Sequence, residues 1–312
     1  MSILFVVAGL ALLVAGGEGL VRGGVGIASR LGLSRAFIGT VVLGFGTSMP
    51  EFVASFSAAA RGADGIAFGN VVGSNIANIL MIAGACALIA PLALPRSGVR
   101  RDFAFVMLSS LGVLLWIALD GLPRWGGLAL VAAFAAYMVL AFRESGDGPE
   151  SDGAENDIAT GPGVGAAALF AALGIAALVA GAELLIRGAS DLARGFGVSE
   201  AVIGITIVGV GTSLPEAVSS VIASLKGENE LAFANIVGSN VFNGLAILGL
   251  SASAFPLQFA GGFGWADGGV LLAATVGLFA FAMTRNRLSR LEGAAFLAAY
   301  AGYLGWLVAG VG

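Results

Sequence analysis

The chain has 312 residues, 58% of them apolar and 11% charged, with no histidine and a formal net charge of −4. A soluble domain carries about 25% charged residues, so this chain cannot clothe itself in a solvated surface. One membrane crossing takes roughly 20 apolar residues, so the length allows about ten spans and no sizeable soluble domain. The missing histidine excludes His-ligated zinc, Ser-His-Asp triads and histidine proton relays. The single Cys86 excludes an internal disulfide or a thiolate metal cluster, and the lack of a basic tract excludes nucleic-acid binding.

Apolar runs between short polar breaks predict spans at 3–22, 36–60, 66–94, 103–119, 125–142, 164–186, 201–225, 231–256, 268–284 and 293–311. The fold class expected is an all-α polytopic membrane protein. The one longer break, RESGDGPESDGAENDIATGPG at 143–163, is acidic, contains Gly and Pro, and lacks apolar periodicity. It reads as a flexible linker; a calcium-sensing role would need the ordered ligand spacing of an EF-hand, which is missing. The apolar start could pass for a signal peptide, but it has no basic n-region. AGGEGLVRGG (15–24) also recurs as AGAELLIRGA (180–189), inside the chain. The first run is therefore expected to be a retained span.

That recurrence is part of a longer one at a constant offset of 165. IGTVVLGFGTSMPEFVASFSAAARG (38–62) faces IGITIVGVGTSLPEAVSSVIASLKG (203–227), and AFGNVVGSNIANILMIAG (67–84) faces AFANIVGSNVFNGLAILG (232–249). The organisation expected is a first five-span repeat at 1–142, the linker at 143–163 and a second repeat at 164–312. Five is odd, so the second copy enters the membrane from the opposite side. Such inverted-topology repeats characterise secondary transporters. Lys and Arg fall 11 against 4 in favour of the hairpins after odd-numbered spans. By the positive-inside rule the linker is cytoplasmic and both termini lie outside, in a multi-pass protein of the cell's inner (plasma) membrane.

Glu51 and Glu216 lie near the middle of apolar spans, where a charge costs at least ~2.5 kcal/mol. They occupy equivalent places in GTSMPE and GTSLPE, and no basic residue lies in either span's interior. Pro50 and Pro215 have no N–H, so the carbonyls of Gly46 and Gly211 lose their helical partners. The preceding turns, with Thr47 and Thr212, are expected to open toward the interior. Ser48 and Ser213 add hydroxyls. In the next span Ser74 and Asn78 share a helical face, as do Ser239 and Asn243 in the second copy. Asn70, Asn75, Asn235 and Asn240 are either further polar groups of this centre or caps and cross-helix bonds.

Every candidate ligand atom is oxygen, the set that hard cations take. Calcium accepts 6–8 oxygens in flexible geometry, whereas magnesium keeps its waters. Two ionised glutamates carry −2, which one Ca²⁺ or two Na⁺ neutralise equally. Two neutral loadings of one site give an electrostatic basis for exchange.

On these paired GTS-x-PE and GSN-x-x-N motifs, the whole chain resembles the calcium:cation antiporter superfamily, and within it the prokaryotic sodium/calcium exchangers. The resemblance implies ten helices in two inverted halves. It implies that Glu51 and Glu216 bind calcium with Thr47 and Thr212. Sodium sites would share those glutamates with Ser48, Ser74, Ser213 and Ser239, and Asn78 and Asn243 would line the centre. It implies exchange of cytoplasmic Ca²⁺ for several extracellular Na⁺, with spans 3–22 and 164–186 sliding past a rigid core. Many relatives have aspartate where this chain has Asn243, and potassium-dependent members use a carboxylate in this region, so no potassium requirement is expected. Linker 143–163 is too short for the calcium-sensor domains of animal exchangers.

The transported Ca²⁺ and Na⁺ and the lipid bilayer are the expected partners. No cofactor, enzyme activity or nucleic acid is expected, and the oligomeric state is left open, a monomer being compatible with the sequence. The rival readings are H⁺/Ca²⁺ antiport and, from another class, a cation channel. For Glu18 and Glu183, four residues before Arg22 and Arg187, an i,i+4 ion pair and a role in cation access both stand.

Overall fold

The computed structural model describes residues 1–93, 98–145, 163–197, 207, 209–258 and 264–309. Residues 146–162 of the linker and 201–206, the expected start of the seventh span, lie outside that set, as does Arg96. The described chain is mostly helical: α1 (Ser2–Leu31), α2 (Arg35–Thr47), α3 (Met49–Ala60), α4 (Asp64–Ile89), α5 (Val99–Ala118) and α6 (Arg124–Glu144). The second half supplies α7 (Val164–Gly195), a short turn at Gly209–Gly211, then α8 (Leu214–Leu225), α9 (Asn229–Ala254), α10 (Trp265–Arg285) and α11 (Arg290–Ala309).

Seven of these helices are long and apolar enough to cross a membrane, and α2 with α3 makes an eighth as a pair bent by 49°. The bend has a local cause. Pro50 sits in the first turn of α3, and Ser48 leaves helical geometry at φ −83°, ψ 9°. A proline ring displaces the carbonyl four residues before it and removes a donor. Ser213, before Pro215, has nearly the same dihedrals at φ −84°, ψ 7°.

Burial sorts the helices into two classes. The most apolar stretch of α9 is 100% buried and that of α4 72%, against 17% for α11, so α4 and α9 are the most deeply buried of the seven long helices. The two halves of the chain interleave. The far end of α4 packs on α11, and the far end of α9 packs on α6. Two small antiparallel ladders repeat the exchange outside the helices: β1 (Leu92–Ala93) pairs with β4 (Arg287–Leu288), and β2 (Gly121–Leu122) with β3 (Leu257–Gln258). Neither ladder is foreseen from the sequence, because two-residue strands leave no periodicity to read.

Helix α1 also runs further than expected. Arg22 and Arg30, which the expected span at 3–22 places at or beyond its end and so among the 11 hairpin charges, lie within it. It ends only at Gly32, which takes the left-handed φ of 63° that glycine adopts freely. Four of its glycines, Gly9, Gly16, Gly19 and Gly23, pack on α7, while Gly17 meets Val218 and Ile222 of α8 and Gly24 meets Ile38 and Leu43 of α2. A methyl group built on Gly16 would stand 2.7 Å from the Leu178 amide nitrogen and 2.8 Å from the Gly174 carbonyl oxygen. One built on Gly181 would stand 2.8 Å from the Leu13 nitrogen. The two helices touch backbone to backbone and run antiparallel, as Gly9 against Gly181 and Gly16 against Gly174 require.

Candidate functional site

The two proline bends bring the sequence motifs together at the centre. Glu51 opens α3 and Glu216 opens α8, and both are fully buried. Each is reached by a serine from the other half of the chain. Ser48 Oγ donates to Glu216 Oε1 at 2.7 Å, and Ser213 Oγ to Glu51 Oε1 at 3.4 Å. The two bonds are copies of one another at the 165-residue offset. Ser74 lies beside the Glu51 carboxylate and Thr47 beside that of Glu216.

Much of the remaining polar surface here has no partner. Glu51 Oε2, Glu216 Oε2, Ser74 Oγ, Thr212 Oγ1 and both amide atoms of Asn78 and Asn243 are buried without a hydrogen bond. Buried polar atoms are paired in the great majority of cases, so orphaned oxygens on both carboxylates, with orphaned hydroxyl and amide groups in the same motifs, point to a site built for something else to fill. Among the described residues, no group of three or more His, Cys, Asp or Glu side chains gathers to hold a metal. The inventory is two carboxylates plus neutral oxygens.

Local backbone adds to it. Helices α2, α4 and α9 each contain a π-helical stretch, at Gly39–Gly44, Ala77–Ile82 and Phe242–Ile247. The latter two contain Asn78 and Asn243 and are equivalent at the same offset. Such stretches loosen the regular ladder and recur at functional sites.

Two of the expected oxygens are partly committed elsewhere. Thr47 Oγ1 donates to the Leu43 carbonyl at 2.9 Å, which leaves its lone pairs free, and Ser239 Oγ donates to the Gly44 carbonyl at 3.4 Å. The four asparagines resolve as cross-helix and back-bonding groups. Asn75 Nδ2 donates to the Asn240 carbonyl and Asn240 Nδ2 to the Ile236 carbonyl. Asn70 and Asn235 reach the glutamate-bearing helices. The serines they bind, Ser55, Ser219 and Ser220, are passed over in the sequence reading, although Ser55 and Ser220 stand at the repeat offset.

Two further buried carboxylates escape the sequence reading. Asp102 accepts from Arg101 at 2.7 Å and from the Tyr137 hydroxyl at 3.0 Å. Asp267 accepts from the Tyr303 hydroxyl at 2.8 Å and from the Gly264 amide at 3.1 Å. Both sit in the first turn of a helix, where a carboxylate complements the free N–H groups, and their bonds tie neighbouring helices. Glu183 does pair with Arg187 as expected. Glu18 instead pairs with Lys226 at the end of α8, while Arg22 lies over the Phe170 ring at 5.1 Å. Helix α1 thus directs its carboxylate toward α8 where the i,i+4 rule alone points it along α1.

Comparison with known proteins identifies the family. The family model described as "Sodium/calcium exchanger protein" matches residues 1–143 and 166–309. The chain is 36% identical over 310 residues to the "Putative antiporter CaxA" of Alkalimonas amylolytica, covering 97% of each. It is 32% identical to the sodium/calcium exchanger MaX1 of Methanosarcina acetivorans, again covering 97% of each. A solved structure of the sodium-calcium exchanger NCX_Mj, soaked with 2.5 mM Na⁺ and 1 mM Sr²⁺, superimposes with a TM-score of 0.85 at 28% identity, over 97% of each chain. The chain belongs to the sodium/calcium exchanger family of membrane cation antiporters.

Proposed function

We propose that this chain exchanges Ca²⁺ for Na⁺ across the cell membrane, holding either cation between Glu51 and Glu216. The observation that carries this reading is the reciprocal Ser48–Glu216 and Ser213–Glu51 pairing, with one oxygen of each carboxylate left unpaired. Thr47, Thr212, Ser48, Ser213, Ser74, Ser239, Asn78 and Asn243 supply the neutral oxygens around it. Calcium fits a cage of this kind through its flexible 6–8 oxygen coordination. Two sodium ions restore the same neutrality, so a loaded site of either kind crosses without net charge on the glutamates.

In this reading the chain forms ten spans as two inverted five-helix repeats, 1–142 and 164–312, joined by 143–163. The antiparallel contact of the equivalent helices α1 and α7 supports the inversion. The α1–α7 pair moves against the centre to open the site to each side in turn, and both termini face outward. The test is ⁴⁵Ca²⁺ uptake into proteoliposomes driven by an outward Na⁺ gradient, run beside an outward H⁺ gradient. Uptake driven by Na⁺ is expected. Uptake driven by protons alone would move the protein to H⁺/Ca²⁺ antiport, and uptake only down a Ca²⁺ gradient would make it a channel.

A further inference from the structure

We propose that Asn70 and Asn235 are positioning residues that clamp the backbone of each site glutamate to the helix presenting its facing oxygens. This rests on the reading of Glu51 and Glu216 as the cation ligands.

Asn70, Ser74 and Asn78 follow one another at i, i+4 and i+8 on α4, so they form one stripe along the helix. Asn235, Ser239 and Asn243 do the same on α9. Of the later members, Ser74 lies beside the Glu51 carboxylate, Ser239 Oγ donates to the Gly44 carbonyl, and the amides of Asn78 and Asn243 are buried without a hydrogen bond. The first member reaches sideways. Asn70 Nδ2 donates to the Glu51 carbonyl at 3.2 Å and to Ser55 Oγ at 2.8 Å. Asn235 Nδ2 donates to Ser220 Oγ at 2.8 Å, to Ser219 Oγ at 3.0 Å and to the Glu216 carbonyl at 3.5 Å. A carbonyl can only accept, so the amide nitrogen must be the end that faces it.

The placement matters because Glu51 and Glu216 follow a proline in the first turn of their helices, where the upstream helix no longer holds them. The clamp replaces that hold. It fixes each glutamate's backbone to the same helix that carries the serine and asparagine with which its carboxylate must share an ion. Groups that orient ligands without touching the metal typically govern affinity by about 10–100-fold.

The two clamps are not equal. Asn235 is fully buried and engages two serines, whereas Asn70 is half-buried and engages one, because Ala54 stands where the other half has Ser219. Ser219 Oγ donates to the Glu216 carbonyl as well, at 3.1 Å. Water can stand in for the Asn70 amide more readily than for Asn235.

The test measures Ca²⁺ binding by calorimetry on the purified full chain, together with melting temperature without and with Ca²⁺. Asn235→Ala is expected to raise Kd about tenfold, and Asn70→Ala about threefold. Both variants should show a smaller Ca²⁺-induced rise in melting temperature, as mass action requires. Asn70→Gln, which keeps an amide donor, is expected to stay within about twofold of the wild type. Should Asn235→Ala fail to fold, the half-buried Asn70 series still decides the matter. A merely structural role lowers the ion-free melting temperature and leaves the Kd of the folded protein unchanged; that result overturns the clamp. Glu216→Gln is the control. If the wild type binds Ca²⁺ and this variant does not, a wild-type Kd in both alanine variants refutes the clamp alone. If the wild type binds no Ca²⁺, the site reading and the clamp fall together.

Discussion

The contact between α1 and α7 and the cluster around Glu51 and Glu216 solve opposite problems with different residues, glycine in the first and serine, threonine, asparagine and proline in the second. At the α1–α7 contact, glycines let two unbroken helices of 30 and 32 residues approach until backbone meets backbone. In lipid the apolar surroundings give helices no hydrophobic reason to associate, so close packing of small residues takes over. Around the glutamates the helices are broken instead, and polar side chains cross from one half of the chain to the other. A smooth, tightly fitted pair can move as one body. A cage of oxygens must keep its spacing. The difference implies that variants in the two regions should fail in separable ways.

The largest effect is expected at the cage. In the proposed function Glu51→Gln and Glu216→Gln each remove a charge and a direct ligand, so Na⁺-driven ⁴⁵Ca²⁺ uptake should fall by more than about 100-fold, beyond what loss of an indirect partner does. Melting in the absence of ions should change little, because each glutamate has an orphaned oxygen and no basic partner there to lose. Normal uptake in either variant would remove that residue from the site.

The α1–α7 contact should show the reverse pattern. Gly16→Val or Gly181→Val places side-chain atoms against the backbone of the opposing helix. Overpacking of this kind costs about 1–3 kcal/mol or more, read as a lower melting temperature. The protein that remains folded should bind Ca²⁺ with the wild-type Kd, since these glycines lie outside the cage. A changed Kd with unchanged stability would contradict the separation of the two regions.

How much of this contrast was legible in the sequence follows from what each feature depends on. The cage was, because its chemistry is carried by rare residues at fixed spacing: two mid-span glutamates, each beside a proline, repeated at one offset. The proline bend also followed from local chemistry, since a missing N–H acts within one turn. The extent of α1 was not, because glycines that weaken an isolated helix are here packed mainly against α7, a partner far away in the sequence. Glu18 departs from the i,i+4 pairing for the same reason. The i,i+4 rule sees only its own helix, whereas Lys226 arrives through the packing of α8. The roles of Asn70 and Asn235 stayed open until the glutamate carbonyls were placed beside them.

A weaker effect concerns potassium. With Asn78 and Asn243 both uncharged, the centre holds two carboxylates, and two sodium ions or one calcium already neutralise them. Exchanging K⁺ for choline on both sides should leave Na⁺-driven uptake within about twofold; a steep dependence would require a third charge in the cage. Asn243→Asp supplies one, so that neither two sodium ions nor one calcium neutralises the centre, and the dependence of uptake on monovalent cations should change.

The smallest effect is expected where the two regions are tied together. Glu18 on α1 pairs with Lys226 on α8, both side chains partly exposed at 52% and 38%. Exposed pairs contribute about 0.2–1 kcal/mol. If α1 and α7 move against the centre, this pair exists on one side of the cycle only, and it favours the state in which it is closed. Neutralising it as Glu18→Gln or Lys226→Gln should then shift the balance between the two states by at most about fivefold, toward the one that lacks it. The equivalent pair in the second half would join Glu183 to Arg61, but Glu183 is held by Arg187 on its own helix. Breaking Glu183–Arg187 is therefore expected to leave that balance unchanged. Apparent KM for Ca²⁺ measured from each membrane face reports it: Lys226→Gln should move the two values in opposite directions, and Arg187→Gln should move neither. Equal shifts on both faces would assign the Glu18–Lys226 pair to stability alone.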